Sequence, residues 1–162
     1  MQTRTLKVLD RTEIKEVERI IEKNYGTAID LERFAVFETK DEKVWIASKK
    51  IFELQLGKMA VNSIGMYAGR LKRNEKIHLS TEACQIIGKT AKKNVAVISE
   101  AEKFLSGSNL MPEKEIDCNY HNFVIVRTEK EILGCSLLTE EGIKNLVPRS
   151  RRIIKPIQRE PL

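Results

Sequence analysis

No apolar run in this chain is longer than a few residues. Phe123 to Val126 is typical, far short of the roughly 20 residues needed to cross a bilayer as a helix. The segment from Met1 to Asp10 alternates charged and apolar residues and has no apolar stretch of the kind a secretory leader needs, so none is expected. Cysteine is scarce: Cys84, Cys118 and Cys135 are odd in number and irregularly spaced. That excludes a disulfide framework and points to a reducing compartment with buried thiols. Catalytic signatures are missing too. There is no Walker loop, no G-x-G-x-x-G after a strand, no G-x-S-x-G elbow and no H-E-x-x-H pair. Cys118 and His121 are spaced like metal ligands, but no second pair completes a four-ligand site. A protein that is not an enzyme, with neither cofactor nor metal, is the expectation. Internal repeats and low-complexity segments are also absent.

What is present is enough apolar material for a core, 41%, interspersed with 32% charged residues, as in a folded globular protein. The formal charge of +6 is unevenly distributed. Lys144, Arg149, Arg151, Arg152, Lys155 and Arg159 follow one another without an intervening acid. A second concentration, Arg70, Lys72, Arg73, Lys76, Lys89, Lys92 and Lys93, is opposed only by Glu75 and Glu82. Clustering of this kind is the footprint of a surface that faces phosphates.

Along the chain, Asp10 and Glu13 form a capping box, and Ile14, Val17, Ile20 and Ile21 recur at helical spacing, which predicts a helix over 11–23 closed by Asn24 and Gly26. A hairpin over 33–46 follows, then a second helix from Ser48 with Ile51, Leu54, Leu56 and Met59 on its apolar positions, ending near Val61. Strands over 65–72 and 76–79 flank a turn at 73–75, and Ser80 or Thr81 caps a short helix that stops at Gly88. The polar stretch 89–94 marks a boundary between two units, 1–90 and 91–162. In the second unit, Val95 to Ile98 is a strand, Ser99 caps a helix through Leu105, and Gly107 ends it in the left-handed region. A hairpin of 123–127 and 132–138 carries Gly134 at a bulge, and 149–157 reads as a final edge strand beside two prolines. The fold class is α+β: an N-terminal domain with an antiparallel sheet and helices, followed by a small β-barrel.

The stretch KNVAVISEAEKFLSGSNLMPEKEI with FVIVRTEKEILGCSLL resembles the PUA domain, an RNA-binding module. It shares a strand ending in an apolar residue, a short helix closing on Phe-Leu-x-Gly, and a later hairpin strand with a glycine. KVWIASKKIFELQLGK and GRLKRNEKIHLSTEACQII, followed by FLSGSNL, are similar in order and spacing to the Nip-seven family of ribosome-assembly factors, over Leu9 to Ile154. Two segments depart from the PUA pattern: Ile98 to Ala101 stands where many such domains have Pro-Gly-Ala-Glu, and Met111 to Ile116 contains no glycine.

The resemblance implies RNA held between the helix with its following loop and the last strand. Carried over, that means Lys103 and Lys114 on one side and Arg149, Arg151, Arg152 and Lys155 on the other. Guanidinium groups in a row can meet successive phosphates bidentately and stack on unpaired bases, whereas the alternative is a solvated basic tail that deters edge pairing. Arg70, Lys72 and Arg73 form a second candidate set, with a plain charged turn as the competitor. Trp45 reads as core before base platform, and Tyr120 and His121 are free to stack. The function expected is that of an RNA-binding accessory factor in large ribosomal subunit assembly, with precursor ribosomal RNA as partner, assembly-factor proteins or an RNA-modifying enzyme as further candidate partners, and no membrane. Its location would be cytoplasmic in a prokaryote and nucleolar in a eukaryote. The alternatives are a substrate-targeting subunit of an RNA-modifying complex and a protein-protein adaptor.

Overall fold

The computed structural model describes residues 6–55 and 63–154. Helix α1 (Arg11–Tyr25) starts where local chemistry dictates. The Asp10 carboxylate accepts from the Glu13 backbone N–H, and the Glu13 carboxylate accepts in return from Asp10 N–H, both at 2.9 Å. Two of the N–H groups that a helix start leaves unpaired are satisfied in this way. The helix ends at Gly26, whose φ of 63° is the left-handed conformation a side chain would disfavour. Its buried face is Ile14, Val17, Ile20, Ile21, Asn24 and Tyr25.

That face packs on a five-stranded sheet. β1 (Lys7–Val8), β2 (Ala35–Glu38), β3 (Lys43–Ala47), β4 (Met66–Lys72) and β5 (Lys76–Leu79) lie in sequence order, each antiparallel to the next. The β4–β5 turn has Asn74 and Glu75 both at positive φ, the backbone sense that matches the twist of a hairpin. Lys23 and Arg19 of α1 bond the Glu75 carboxylate and hold its pKa down to about 2. The helix expected from Ser48 is instead a 3-10 turn, Lys49–Glu53, which leaves Leu54 extended. None of its residues is buried, so no apolar face rewards continued helix. Leu56, Met59 and Val61, which were to extend that face, lie outside the described residues.

Helix α2 (Thr81–Ile87) is capped by Ser80, whose Oγ accepts from Ala83 N–H at 3.0 Å. A second five-stranded sheet follows, from β6 (Val95–Val97), β7 (Lys114–Ile116), β8 (Asn122–Arg127), β9 (Ile132–Thr139) and β10 (Gly142–Lys144), in the order β10-β9-β8-β6-β7. β6 and β8 are parallel and the other pairs antiparallel. Helix α3 (Ala101–Leu105) lies in the crossover, and the loop after it bridges to β10 through Leu110 and Ile143. Ser99 does not cap α3. Its hydroxyl donates to the Glu113 carboxylate, and Glu100 occupies the cap position without a side-chain bond. The register shift on β8 at Val126/Arg127, opposite Gly134, is the irregularity that the strand glycine announces.

The chain is therefore a mixed α+β structure of one antiparallel and one mixed sheet. One apolar cluster runs through both: α1, α2 and β5 residues such as Tyr25, Ile77 and Cys84 join Val95, Ile125 and Cys135 of the second sheet. Tyr25 is fully buried, and its hydroxyl donates to Ile77 O at 2.8 Å. A polar patch sits within this apolar junction. Asn24, Asn94 and Asn122 are all buried. Asn94 Nδ2 donates to Asn24 O at 2.7 Å, Asn94 Oδ1 accepts from Asn119 N–H at 3.1 Å, and Asn122 Nδ2 donates to Asn24 Oδ1 at 3.3 Å. Asn24 Nδ2 in turn reaches Ile20 O and Glu75 O, both at 2.7 Å. Asn94 holds φ at 51°, a conformation asparagine tolerates better than most residues.

Two consequences can be measured. Asn94→Ala removes two buried hydrogen bonds and strains the backbone, and should cost roughly 3 kcal/mol in urea unfolding. Asn94→Gly relieves the strain alone and should be less destabilising by about 1 kcal/mol. The second concerns His78, half-buried and stacked on Phe123 with ring centroids 4.9 Å apart. Burial, then Lys72 and Arg70, push its pKa below the ordinary value, and a backbone bond at Cys135 opposes them. The unfolded chain then takes up a proton that the folded one refuses, so stability is complete above pH about 6.5 and falls on acidification through the depressed folded value. Melting temperature should drop between pH 7.5 and 5.5, and His78→Gln should shrink that drop.

Candidate functional site

The β3–β4 register sets Trp45 opposite Tyr67, with ring centroids 5.2 Å apart and planes inclined by 49°. Both rings are half-buried. Two pairs further along, Lys43 stands opposite Arg70, and both reach the Asp41 carboxylate at 3.0 Å. The Thr39 hydroxyl and Lys43 hold the Asp41 carboxyl well below the usual carboxylate range. At the end of β3 and β4, Gly65 has φ of 62°, and a Cβ there would lie 2.2 Å from Ile46 O. Only glycine allows so close an approach.

Opposite this aromatic wall stand two charged groups from distant parts of the chain. Glu82 comes from the first turn of α2, and Arg151 from a 3-10 turn over Arg149–Arg151; Arg151 Nη1 meets Glu82 Oε1 at 2.8 Å. Partial burial raises the Glu82 pKa, but its own backbone N–H and Arg151 outweigh that and hold it below the ordinary value. Between the walls is a cleft of about 500 Å³ lined by Lys43, Trp45, Gly65, Met66, Tyr67, Glu82 and Arg151. A recess of about 180 Å³ shares Tyr67, Glu82 and Arg151 with it and adds polar groups from His78, Ser80 and Thr81, besides backbone around Gly134 and Pro148. Flat rings, an ionised carboxylate and cations thus converge on one opening, an arrangement suited to a planar, polar, anion-bearing ligand.

The residues expected to meet RNA are distributed differently. Residues 149–154 form no strand: the 3-10 turn at Arg149–Arg151 runs into an extended segment whose Ile153 N–H donates to Leu105 O at 3.0 Å. Arg152 folds back, donating from Nε to Val147 O at 3.1 Å, with its guanidinium over Gly107. The row of arginines on an edge strand is therefore corrected to three side chains with three fates. Arg149 is exposed, Arg151 pairs with Glu82, and Arg152 is half-buried structure. The physical reason is the carbonyls of Val147 and Leu105, which capture the segment before it can pair along a strand. The adjacency of α3 and the terminal segment is nevertheless present. Lys103 pairs with Glu100 at 2.5 Å, and Lys114 is exposed on β7. Arg70 is engaged by Asp41, Lys72 is exposed at the end of β4, and Arg73 is exposed in the turn. Lys72, Arg73, Lys103 and Lys114 do not line the cleft, and Lys155 lies outside the described residues.

Cys118 and His121 turn to different partners. The thiol donates to Val95 O, and the imidazole meets Glu140 at 2.8 Å. Among the described residues no three His, Cys, Asp or Glu side chains are grouped to hold a metal ion. Tyr120 is exposed. Sequence reasoning missed Lys43, Tyr67 and Glu82. Two of them sit on strands whose pairing partner Trp45 was legible as a residue but not as half of a cross-strand pair. Glu82 was counted only as an opposing charge.

No protein-family model matches the chain, and no curated protein matches its sequence. Among solved structures, a distant neighbour is the crystal structure of a hypothetical protein from the hyperthermophilic archaea Pyrococcus horikoshii OT3. It is 13% identical, covers 85% of this chain and 84% of its own, and has a TM-score of 0.48.

The unlike fates of adjacent arginines give a sharp test. Arg152→Ala loses a backbone anchor and should lower stability by about 1–2 kcal/mol, whereas Arg151→Ala, an exposed ion pair, should change it by less than about 1 kcal/mol. Thermal melts of the two variants side by side should separate them.

Proposed function

We propose that the chain is an RNA-binding accessory protein without catalytic chemistry of its own, and that it holds single-stranded RNA across the opening between its two sheets. The observation that carries the reading is the convergence of Lys43, paired with Asp41, and Arg151, paired with Glu82, on the aromatic pair Trp45–Tyr67, with Arg149 exposed two residues before Arg151. Proteins that hold single strands combine a cationic track for the backbone with aromatic faces on which unpaired bases stack. The net charge of +6 supplies long-range attraction to a polyanion. A separate depression of about 500 Å³ is lined by Lys89, Arg127 and Lys130 together with Glu131.

Resemblance of the second half to PUA modules, and of the order of motifs to the Nip-seven family, supports reading β6 to β10 with α3 as a PUA-type barrel. It also supports precursor RNA of the large ribosomal subunit as the natural ligand. The contact surface differs from the one that the resemblance implies: the cations that line the aromatic cleft are Lys43 and Arg151, while Arg152 is spent on the fold.

Affinity for a single-stranded oligoribonucleotide measured against salt tests the reading. Each neutralised phosphate contributes about −0.7 to the slope of log affinity on log salt. Lys43→Ala and Arg149→Ala should each flatten the slope by roughly that amount. A slope near zero in the unaltered protein would remove the electrostatic case.

A further inference from the structure

Resting on the RNA-binding reading, we infer that the cleft between Trp45, Tyr67 and Glu82 is a subsite for one unpaired guanine base, stacked on the aromatic wall and read by the Glu82 carboxylate.

Glu82 carries the inference. A carboxylate at the mouth of a polyanion site opposes binding unless it faces hydrogen-bond donors, because an ionised carboxylate is acceptor-only. Arg151 neutralises it in part at 2.8 Å. Two carboxylate oxygens can accept about four hydrogen bonds, and the Glu82 side chain lines the cleft and is 43% exposed beside its Arg151 contact. Among the four bases only guanine sets two adjacent N–H groups, N1 and N2, on its pairing edge, and those match the two oxygens of one carboxylate. Adenine offers one amino group beside an acceptor nitrogen, and cytosine the same. Uracil offers one N–H between two carbonyls, which a carboxylate repels. Bases in single strands are free to present that edge while their faces stack on aromatic rings.

The remaining groups suit the same ligand. Trp45 and Tyr67 provide stacking surface beside a space of about 500 Å³. Lys43 and Arg151, one on each wall, are placed to meet the phosphates on either side of the base. Gly65 keeps the floor open, since a side chain there would meet Ile46 O. Thr81 of the recess supplies a further hydroxyl group for the sugar or the far edge of the purine.

Trp45 is the single tryptophan of the chain, so its fluorescence reports on the subsite directly. Oligouridylates carrying one central guanosine, adenosine, cytidine or inosine are titrated against the full chain at fixed salt, with quenching for the subsite and anisotropy of a labelled strand for total binding. A bidentate base contact discriminates by about 1–3 kcal/mol, or roughly fivefold to 150-fold. The guanosine strand should bind at least about fivefold more tightly than the adenosine or cytidine strand and quench Trp45. Inosine, which lacks the N2 amino group, should fall between them. Glu82→Gln, with one acceptor and one donor in place of two acceptors, should bring the guanosine and adenosine strands to equal affinity. Equal affinity for all four strands with RNA binding intact overturns the subsite and leaves the RNA-binding reading standing. So does a guanosine preference that survives in Glu82→Gln. Failure to bind any strand overturns both. The inosine comparison uses the unaltered protein, so it decides the matter even if Glu82→Gln does not fold.

Discussion

The two sheets of this protein are joined by three buried asparagines, and much else in the structure follows from that junction. A buried amide left without partners costs about 1–3 kcal/mol, so Asn24, Asn94 and Asn122 must find one another's donors and acceptors, and they do so in a single relative arrangement of α1, the 89–94 stretch and β8. An apolar contact alone would permit sliding, because hydrophobic attraction has no direction. The hydrogen bonds remove that freedom. Lys92 and Lys93 add to the restraint by donating from their backbone to Tyr25 O, and the His78–Phe123 stack ties β5 to β8.

The cleft depends on this fixed relation because its walls belong to different elements. Trp45 and Tyr67 ride on β3 and β4, Glu82 on α2, and Arg151 on the turn after the second sheet. None of them is close to Arg151 in sequence. A shift of the second sheet by an ångström or two would part Arg151 from Glu82 and change the width of the opening. The residues that set the site's geometry therefore lie deeper in the molecule than the residues that form it.

Local signals were legible where a local cause acts. The Asp10–Glu13 capping box, the glycine after α1, the turn at 73–75 and the Ser80 cap each involve atoms within a few residues of each other. The misread elements are those decided by distant partners. Ser48 begins a turn and not a helix because none of residues 49–53 is fully buried, Ile51 being only partly covered by the core. The 149–154 segment has a strand-like alternation, yet Leu105 O takes the Ile153 N–H, Val147 O takes the Arg152 side chain, and the N–H groups of Arg151 and Arg152 turn back on Pro148 and Arg149. The parallel pairing of β6 with β8, with β7 on the outer edge, leaves no mark in the spacing of apolar residues. The same holds for the candidate site. Clustered charge was visible from the sequence, but which cations are free and which are spent on acids or carbonyls depends on contacts as far apart as Glu82 and Arg151.

The glycine that closes the Phe-Leu-x-Gly motif has a wider reach than its own turn. Gly107 has φ of 99°, and a Cβ there would stand 2.5 to 2.8 Å from the Nε, Cζ and Cδ atoms of Arg152. The missing side chain is thus a berth for Arg152, and Arg152 moors the stretch of backbone on which Arg151 is mounted. A motif readable as helix punctuation turns out to be a distant abutment of the cleft: the hand that Arg151 holds out to Glu82 is steadied from the far end of α3.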